Sequence, residues 1–491
     1  MIRSKICFPV FFFLLIAVSA VAQEKSSKPN VIFIYVDDLG YGDISYNGAT
    51  AIKTPSIDAL AKKGLNFTNG HCTSATCTPS RYALMTGKYP WRDKGHNILT
   101  GDAPLIISTT ELTLPKVFKQ AGYATGIVGK WHLGLGETTT KDWNGDIKPG
   151  PNEVGFDYSF IFPATADRVP SIFMENHRVI GIDKNDSIKV SYKQKIGNEP
   201  TGKENPELLK MKASLGHNQT IVNGIGRIGF MTGGKVARWT DEELSTTFLS
   251  KAQDFIMENK SNPFFLFFAL HDIHVPRMPA TMFKGKSSMG LRGDAILELD
   301  WVVGRISQQL NELKLDKNTI IIFSSDNGPV LDDGYADEAV EKVGNHKPAG
   351  PYRGWKTDIY EGGTRVPFFI VWPDKIAPGT SSAMVNQMDL LASFASYLKV
   401  PVPKGEASDS ENLLTAFTGK DKKGRSVMIE EGFYNTAIVK EGWKYIPAYG
   451  KEKAELYNLN NDVEERKDII DQHPEKVKEL AALLQAISEK K

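Results

Sequence analysis

Three apolar runs, each stopping abruptly at a cluster of polar and charged residues, restrict this chain more than any other feature. Val31-Ile32-Phe33-Ile34-Tyr35-Val36 ends in Asp37-Asp38, Phe264 to Leu270 ends in His271-Asp272-Ile273-His274, and Thr319 to Phe323 ends in Ser324-Ser325-Asp326-Asn327-Gly328. Unbroken apolar runs of this length are what a strand buried on both faces requires. Helical patterns lie between them at Pro55 to Lys63, Leu114 to Gln120, Glu242 to Glu258 and Ala295 to Leu313. The expected fold is therefore α/β, a mixed, largely parallel sheet flanked by helices. Ligands of such sheets bind beyond the carboxyl ends of the strands, where these acids and histidines stand.

After Pro373 the pattern changes to shorter strand-like pieces at Val427 to Glu430, Thr436 to Lys440 and Lys444 to Ile446, then a helix from Pro474 with Val477, Leu480, Leu484 and Ile487 on one face. This predicts a smaller C-terminal α+β subdomain, a small antiparallel sheet plus a helix. The first 22 residues join a short basic start, an apolar run and Ala20-Val21-Ala22, the pattern of a secretory signal peptide cleaved before Gln23. The expected organisation is a signal peptide at 1–22, a larger domain at 23–380 and the subdomain at 381–491. The product is expected to be secreted, or periplasmic in a Gram-negative source, with no membrane span.

Lys and Arg number 59 and Asp and Glu 58, a formal charge of +1. No global field recruits nucleic acid or an anionic membrane, so any bound anion is held by a local cluster. Cys7 leaves with the signal, so only Cys72 and Cys77 remain. A bridge between these two would close a very small loop and contribute little, leaving a lone reactive or modified cysteine as the other reading.

Cys77 opens the segment Cys77-Thr78-Pro79-Ser80-Arg81. Pro79 suits the first position of a helix, which places Cys77 just before an N-terminus whose free N–H groups and dipole favour an anion. Arg81 adds a permanently charged fork one turn in. Asp37-Asp38 alone reads equally well as a solvated turn. Together with Asp326 and the amide oxygen of Asn327, however, it offers four hard oxygen ligands from two strand ends, a shell suited to calcium (Ca2+) before magnesium (Mg2+). An extended backbone through Lys130-Trp131-His132 would turn Lys130 and His132 to the same side.

Cys77-Thr78-Pro79-Ser80-Arg81 resembles the formylglycine signature of type I sulfatases, in which a maturation enzyme oxidises the cysteine to an aldehyde. Further segments stand in that family's order along nearly the whole chain: Asp37-Asp38, Gly129-Lys130-Trp131-His132, His274-Val275-Pro276, Asp326-Asn327-Gly328, and Arg353-Gly354-Trp355-Lys356 before Tyr360-Glu361-Gly362-Gly363-Thr364-Arg365-Val366-Pro367. The resemblance implies an alkaline phosphatase-like fold and a sulfuric ester hydrolase. Hydrated formylglycine at position 77 would complete the metal shell of Asp37, Asp38, Asp326 and Asn327 and attack sulfur with one geminal hydroxyl. The second hydroxyl would then be deprotonated and expel sulfate, a route closed to a serine or thiol. It further implies that Arg81 and Lys130 hold the hydrated aldehyde and sulfate, that His132 takes the proton of the elimination step, that His274 is the acid for the leaving group, and that Lys356 is a second cation on sulfate. Anionic surroundings are expected to raise the proton affinity of His274. The implied partners are a sulfated carbohydrate and a formylglycine-generating maturation enzyme.

Candidate substrate contacts are Arg168, His177, His271 and Arg353. His271 stands where many relatives have a small polar residue, and shaping the site is its expected role. His177 fills the variable position of a Glu-Asn-x-Arg segment, where it either contacts a sugar hydroxyl or is a plain surface-loop residue. Gly224 to Gly229 matches GxGxxG literally but lacks a βαβ unit and a following acid, so it reads as loop glycine. Trp91 and Trp355 read equally as sugar platforms and as apolar packing. The resulting expectation is an exo-acting carbohydrate sulfatase, with a lean to galactose sulfated at O3 as in mucin-type glycans. Glycosaminoglycan or algal glycan sulfates are alternatives, as is a phosphodiester or phosphonate monoester hydrolase of the same fold.

Overall fold

The computed structural model describes residues 28–93 and 97–489, so the predicted signal peptide lies outside the described residues. At the centre of a ten-stranded sheet, Asn30–Val36 runs parallel to Phe264–Ala269 on one side and to Thr319–Ser325 on the other. Ala124–Lys130 and Tyr158–Phe162 extend the parallel array beyond Phe264–Ala269. Phe368–Val371 adds an antiparallel strand beside Thr319–Ser325, and the hairpin of Met174–Glu175 and Arg178–Val179 closes the far edge. Both faces are covered. Phe33 and Tyr35 pack with Tyr82, Val117, Phe118, Leu391 and Phe394 from one layer of helices, while Ile32 and Ile34 pack with Ile57, Phe248, Leu299 and Val303 from the other. Side chains alternate between two buried faces, which is why the central strands carry no charged residue until they stop.

The strand Ala124–Lys130 escapes sequence reading because two glycines interrupt it. A Cβ on Gly126 would lie 2.5 Å from the Phe255 ring, and one on Gly129, whose φ is +117°, would lie 1.8 Å from Ala269 O. The helix and the neighbouring strand thus take the space a side chain would need. The GxGxxG segment forms a short antiparallel pair, Ile221–Val222 with Ile225–Gly226, turning at Asn223 and Gly224 with positive φ. It opens no helix.

The C-terminal subdomain is a four-stranded antiparallel meander, Val427–Glu431, Thr436–Lys440, Trp443–Ile446 and Glu455–Asn458. The helix Pro474–Glu489 lays Leu480 and Leu484 against Ile429, Ile438, Tyr445 and Leu456. The expected boundary at 380/381 needs correction. Gly379–Ser381 pairs with Leu65–Phe67 in the large sheet, and Leu390, Leu391, Phe394, Leu413 and Phe417 belong to the same core as Phe118. The packing of the larger domain therefore continues through Phe417. Where the two parts meet, Lys444 Nζ is buried 3.0 Å from Glu361, 2.8 Å from Glu430 and 3.0 Å from Glu465.

Candidate active site

Asp37 and Asp38 leave the end of Asn30–Val36, and Asp326 and Asn327 the end of Thr319–Ser325; all four are fully buried. Asp38 takes a left-handed φ of +59°, so the chain reverses within one residue of the strand. One carboxylate oxygen each from Asp37, Asp38 and Asp326 lies within 4.8 Å of the others. Burial and the adjacent Asp326 push the Asp37 carboxyl well above its usual range. Asp37 Oδ1 and Asn327 Oδ1 are buried without a hydrogen-bond partner among the described residues. Two orphan oxygens beside converging carboxylates fit a divalent cation, because buried polar atoms otherwise find partners.

Cations surround this group. Lys130 Nζ lies 2.5 Å from Asp37 Oδ2, Arg81 Nε donates to Asp326 Oδ2 at 3.0 Å, and Lys356 Nζ bridges Asp38 at 3.0 Å and Asp333 at 2.7 Å. Cys77 is the first residue of the helix Cys77–Thr86, with Thr76 as its N-cap. Pro79 is thus the third helical residue and not the first, a place in the opening turn that still has no intrahelical acceptor to lose. Both cysteines are free thiols. Cys72 Sγ bonds Ser74 O and Thr364 O at 3.2 Å. Burial raises the Cys77 thiol, against the pull of Lys130 and Lys356.

The two expected proton-transfer histidines have assignable tautomers. His132 Nε2 lies 3.0 Å from Leu99 O, and a carbonyl only accepts, so Nε2 carries the hydrogen and the unpartnered Nδ1 keeps its lone pair. Burial and Lys130 hold its pKa well below the usual value. His132 has φ +58°, so a left-handed turn and not an extended backbone brings it beside Lys130. His274 Nδ1 donates to Val275 O at 2.6 Å, leaving Nε2 to face Asp333 at 3.7 Å and Asp38 at 3.9 Å. Contrary to expectation, burial and the Lys356 and Lys130 ammoniums push His274 well below its usual pKa. His271 lies in the wall, its ring 6.0 Å from that of His274 and 5.9 Å from Phe162, with burial and His274 lowering it to about 3.

Of the remaining candidates, only Arg168 reaches the mouth. It bonds Asp167 at 3.0 Å and Thr165 at 2.7 Å, and the charges of Cys77 and Asp333 act on it. Asp167 also holds His217 Nε2 at 2.9 Å; the His217 ring lies 4.7 Å from Tyr335, and a Cβ on Gly334 would lie 1.9 Å from it. His177 is elsewhere. Its hairpin turns back at the amino-terminal end of Tyr158–Phe162, where His177 bonds Glu153 at 3.0 Å, whereas Lys130 is paired with Phe162 at the opposite end. Arg353 is structural: its guanidinium lies 3.6 Å over the Tyr360 ring and donates to Tyr457 and Glu465 O. Sequence reading missed Asp333 and His217, and singled out Asp167 only as the neighbour of Arg168 in the stretch expected to select substrate. The Asp332-Asp333 pair soon after Asp326 was a usable signal, while His217 sits in a stretch without periodicity.

This geometry agrees with the comparisons. Residues 29–400 match the Sulfatase family model, and residues 353–490 match that of the C-terminal region of N-sulphoglucosamine sulphohydrolase. The chain belongs to the sulfatase family and is a sulfuric ester hydrolase. It is 50% identical over 479 residues, 94% of each chain, to an N-acetylgalactosamine-6-O-sulfatase of Bacteroides thetaiotaomicron. A solved structure from the metabolism of multiple glycosaminoglycans by Bacteroides thetaiotaomicron superposes with a TM-score of 0.92 at 49% identity, covering 95% of this chain and all of the other. Human steryl-sulfatase is 30% identical over 461 residues, 86% of this chain and 74% of that protein. A phosphonate monoester hydrolase of Agrobacterium radiobacter shares the fold at 16% identity, with a TM-score of 0.58 over 94% of this chain and 95% of that one.

Proposed function

We propose that this enzyme is an exo-acting carbohydrate sulfatase that removes the 6-O-sulfate of N-acetylgalactosamine at the end of a glycan. The observation that carries this reading is the 50% identity, over nearly the full length of both chains, to an N-acetylgalactosamine-6-O-sulfatase. It displaces the lean to 3-O-sulfated galactose. The reaction centre is buried and opens past Asp333, 35% exposed in its side chain, and Arg168, 17% exposed. A buried centre bordered by polar side chains suits a terminal sugar better than a chain threading through.

Formylglycine at position 77, once hydrated, would supply a nucleophile with two geminal hydroxyls. Asp37, Asp38, Asp326 and Asn327 would hold calcium, which would supply positive charge for the anionic oxygens gathered there. The chain's own residues do the rest. Arg81, Lys130 and Lys356 hold sulfate oxygens in a dry pocket, where each charge acts strongly. His132 Nδ1 takes a proton, and His274 Nε2 gives one to the leaving oxygen. His274 must first be charged, and the negative charge of the bound sulfate ester supplies a field that offsets that of Lys356 and Lys130. Asp167 presents acceptor oxygens and Arg168 a fork of donors to sugar hydroxyls, while His217, donating to Leu215 O and to Asp167, holds that carboxylate in place. The protein acts after export, in the periplasm of a Gram-negative source.

Protein matured with a formylglycine-generating enzyme should be assayed on a panel of positionally defined sulfated sugars, with a phosphodiester and a phosphonate monoester in parallel. The N-acetylgalactosamine 6-sulfate should be cleaved fastest. Faster cleavage of galactose 3-sulfate, or of either phosphorus ester, would overturn this reading.

A further inference from the structure

A cluster of exposed aromatic residues stands beside the active site and takes no part in the chemistry above. Phe433, Tyr434 and Tyr449 are 46%, 67% and 48% exposed, on the loop after Val427–Glu431 and on the one after Trp443–Ile446. Large aromatics exposed together on a folded surface mark a binding site more often than chance placement does. Their rings are ordered among themselves: Phe433 meets Tyr434 edge to face with centroids 4.6 Å apart, and Tyr449 stacks near Tyr434 at 6.0 Å. Trp91 closes the opposite wall, stacked on Tyr89 at 4.3 Å, and the Tyr89 hydroxyl accepts Ile429 N–H at 3.1 Å. Together they bound an open cavity of about 400 Å³, within the range of about 300–1,000 Å³ usual for small-molecule sites.

Two further observations give this cavity a ligand chemistry. Asn97, Asn435 and Thr436 line the cavity beside the aromatic rings, and Glu431 and Trp91 complete its wall. Amide and hydroxyl groups set between aromatic faces match a sugar ring, which has an apolar C–H face and a rim of hydroxyls. Among the described residues lining the cavity there is no Lys or Arg. The segments that line the cavity are hydrogen-bonded to those that carry the reaction centre. Phe433 N–H donates to Thr357 O at 2.9 Å, one residue after Lys356, and Ala75 N–H donates to Glu431 O at 2.7 Å, two residues before Cys77.

We propose that Trp91, Glu431, Phe433, Tyr434 and Tyr449 form a second carbohydrate subsite, which holds a sugar ring of the same glycan beyond the sulfated terminal residue. The inference rests on the glycan sulfatase reading for its substrate. It assigns the C-terminal subdomain a role in selecting oligosaccharides over single sugars.

The test compares N-acetylgalactosamine 6-sulfate with a trisaccharide carrying that residue at its end followed by two unsulfated sugars. The wild type should show a lower KM for the trisaccharide. In the Phe433→Ala/Tyr434→Ala variant the trisaccharide KM should rise roughly three- to tenfold, the range of aromatic contact energies converted to affinity, with kcat unchanged. The monosaccharide KM should not move. Titration of the wild type with the desulfated trisaccharide, followed by tryptophan fluorescence, should show saturable binding that the variant loses. This titration decides the subsite even if neither sulfated sugar is cleaved, an outcome that would sink the substrate reading alone. Equal KM shifts on both substrates, or no binding of the desulfated trisaccharide by the wild type, would overturn the proposal. A variant that changes only self-association would assign the patch to a protein contact and overturn it equally.

Discussion

Replacing Lys444 by Met tests how the two parts of the molecule hold the active site in shape. Methionine keeps the length and apolar stem of lysine and removes only the charge. The Lys444 ammonium is the shared partner of Glu361, Glu430 and Glu465, at 3.0, 2.8 and 3.0 Å. Without it, Glu361 keeps Arg365 and Glu430 keeps His71 at 2.9 Å, but Glu465 keeps only the Glu361 N–H at 2.7 Å. One buried carboxylate is therefore left without a cation, a change that costs about 3–5 kcal/mol. Burial, with Glu361 nearby, already pushes the Glu465 carboxyl up to about 7 despite Lys444, so protonation relieves the loss in acid. In urea unfolding followed by tryptophan fluorescence, Lys444→Met should lose about 3–5 kcal/mol at pH 8 and clearly less at pH 5. Glu361 begins the turn Glu361–Thr364, and Gly362 N–H reaches back to Arg353 O at 2.6 Å, three residues before Lys356. The variant should therefore also lose activity. A loss below roughly 1 kcal/mol at pH 8, or one equal at both pH values, would refute the reasoning.

His177→Ala should leave turnover of the sulfated substrate unchanged, because His177 lies at the amino-terminal end of the sheet with Glu153 as its partner; a sharp fall in kcat would return it to the substrate. Burial pushes the Glu431 carboxyl up to about 8. The native state therefore keeps a proton that the unfolded chain releases near its ordinary carboxylate value, so stability falls as pH rises from about 4.5 towards about 8 and then levels. Denaturation midpoints measured across that range should fall less steeply in Glu431→Gln, and identical slopes would contradict the assignment.

How much could be read beforehand follows from where each constraint acts. The three central strands are buried on both faces, so their sequence alone announces them, and the acids at their ends lie where any parallel sheet would place a ligand. The helix at Cys77 was legible from its proline and its position before an apolar stretch, although Pro79 fills the third place. What failed depended on contacts distant in the chain. Gly126 and Gly129 hid a strand because Phe255 and Ala269 crowd it. Arg353 opens one of the family segments yet turns towards Tyr360 and Glu465 O. The direction of a two-residue hairpin, invisible to periodicity, sent His177 to the wrong end. His217 becomes part of the site only through Asp167, fifty residues earlier in the chain.

The central claim is that the Cys77 side chain, oxidised to an aldehyde, is the group that attacks sulfate. The most direct measurement joins mass spectrometry of the peptide spanning Cys77 to desulfation assays on the same preparation, made with and without a maturation enzyme. Activity should rise in proportion to the aldehyde-bearing fraction and vanish in Cys77→Ala. Full activity in a preparation whose Cys77 is entirely thiol, or in the alanine variant, would contradict the account.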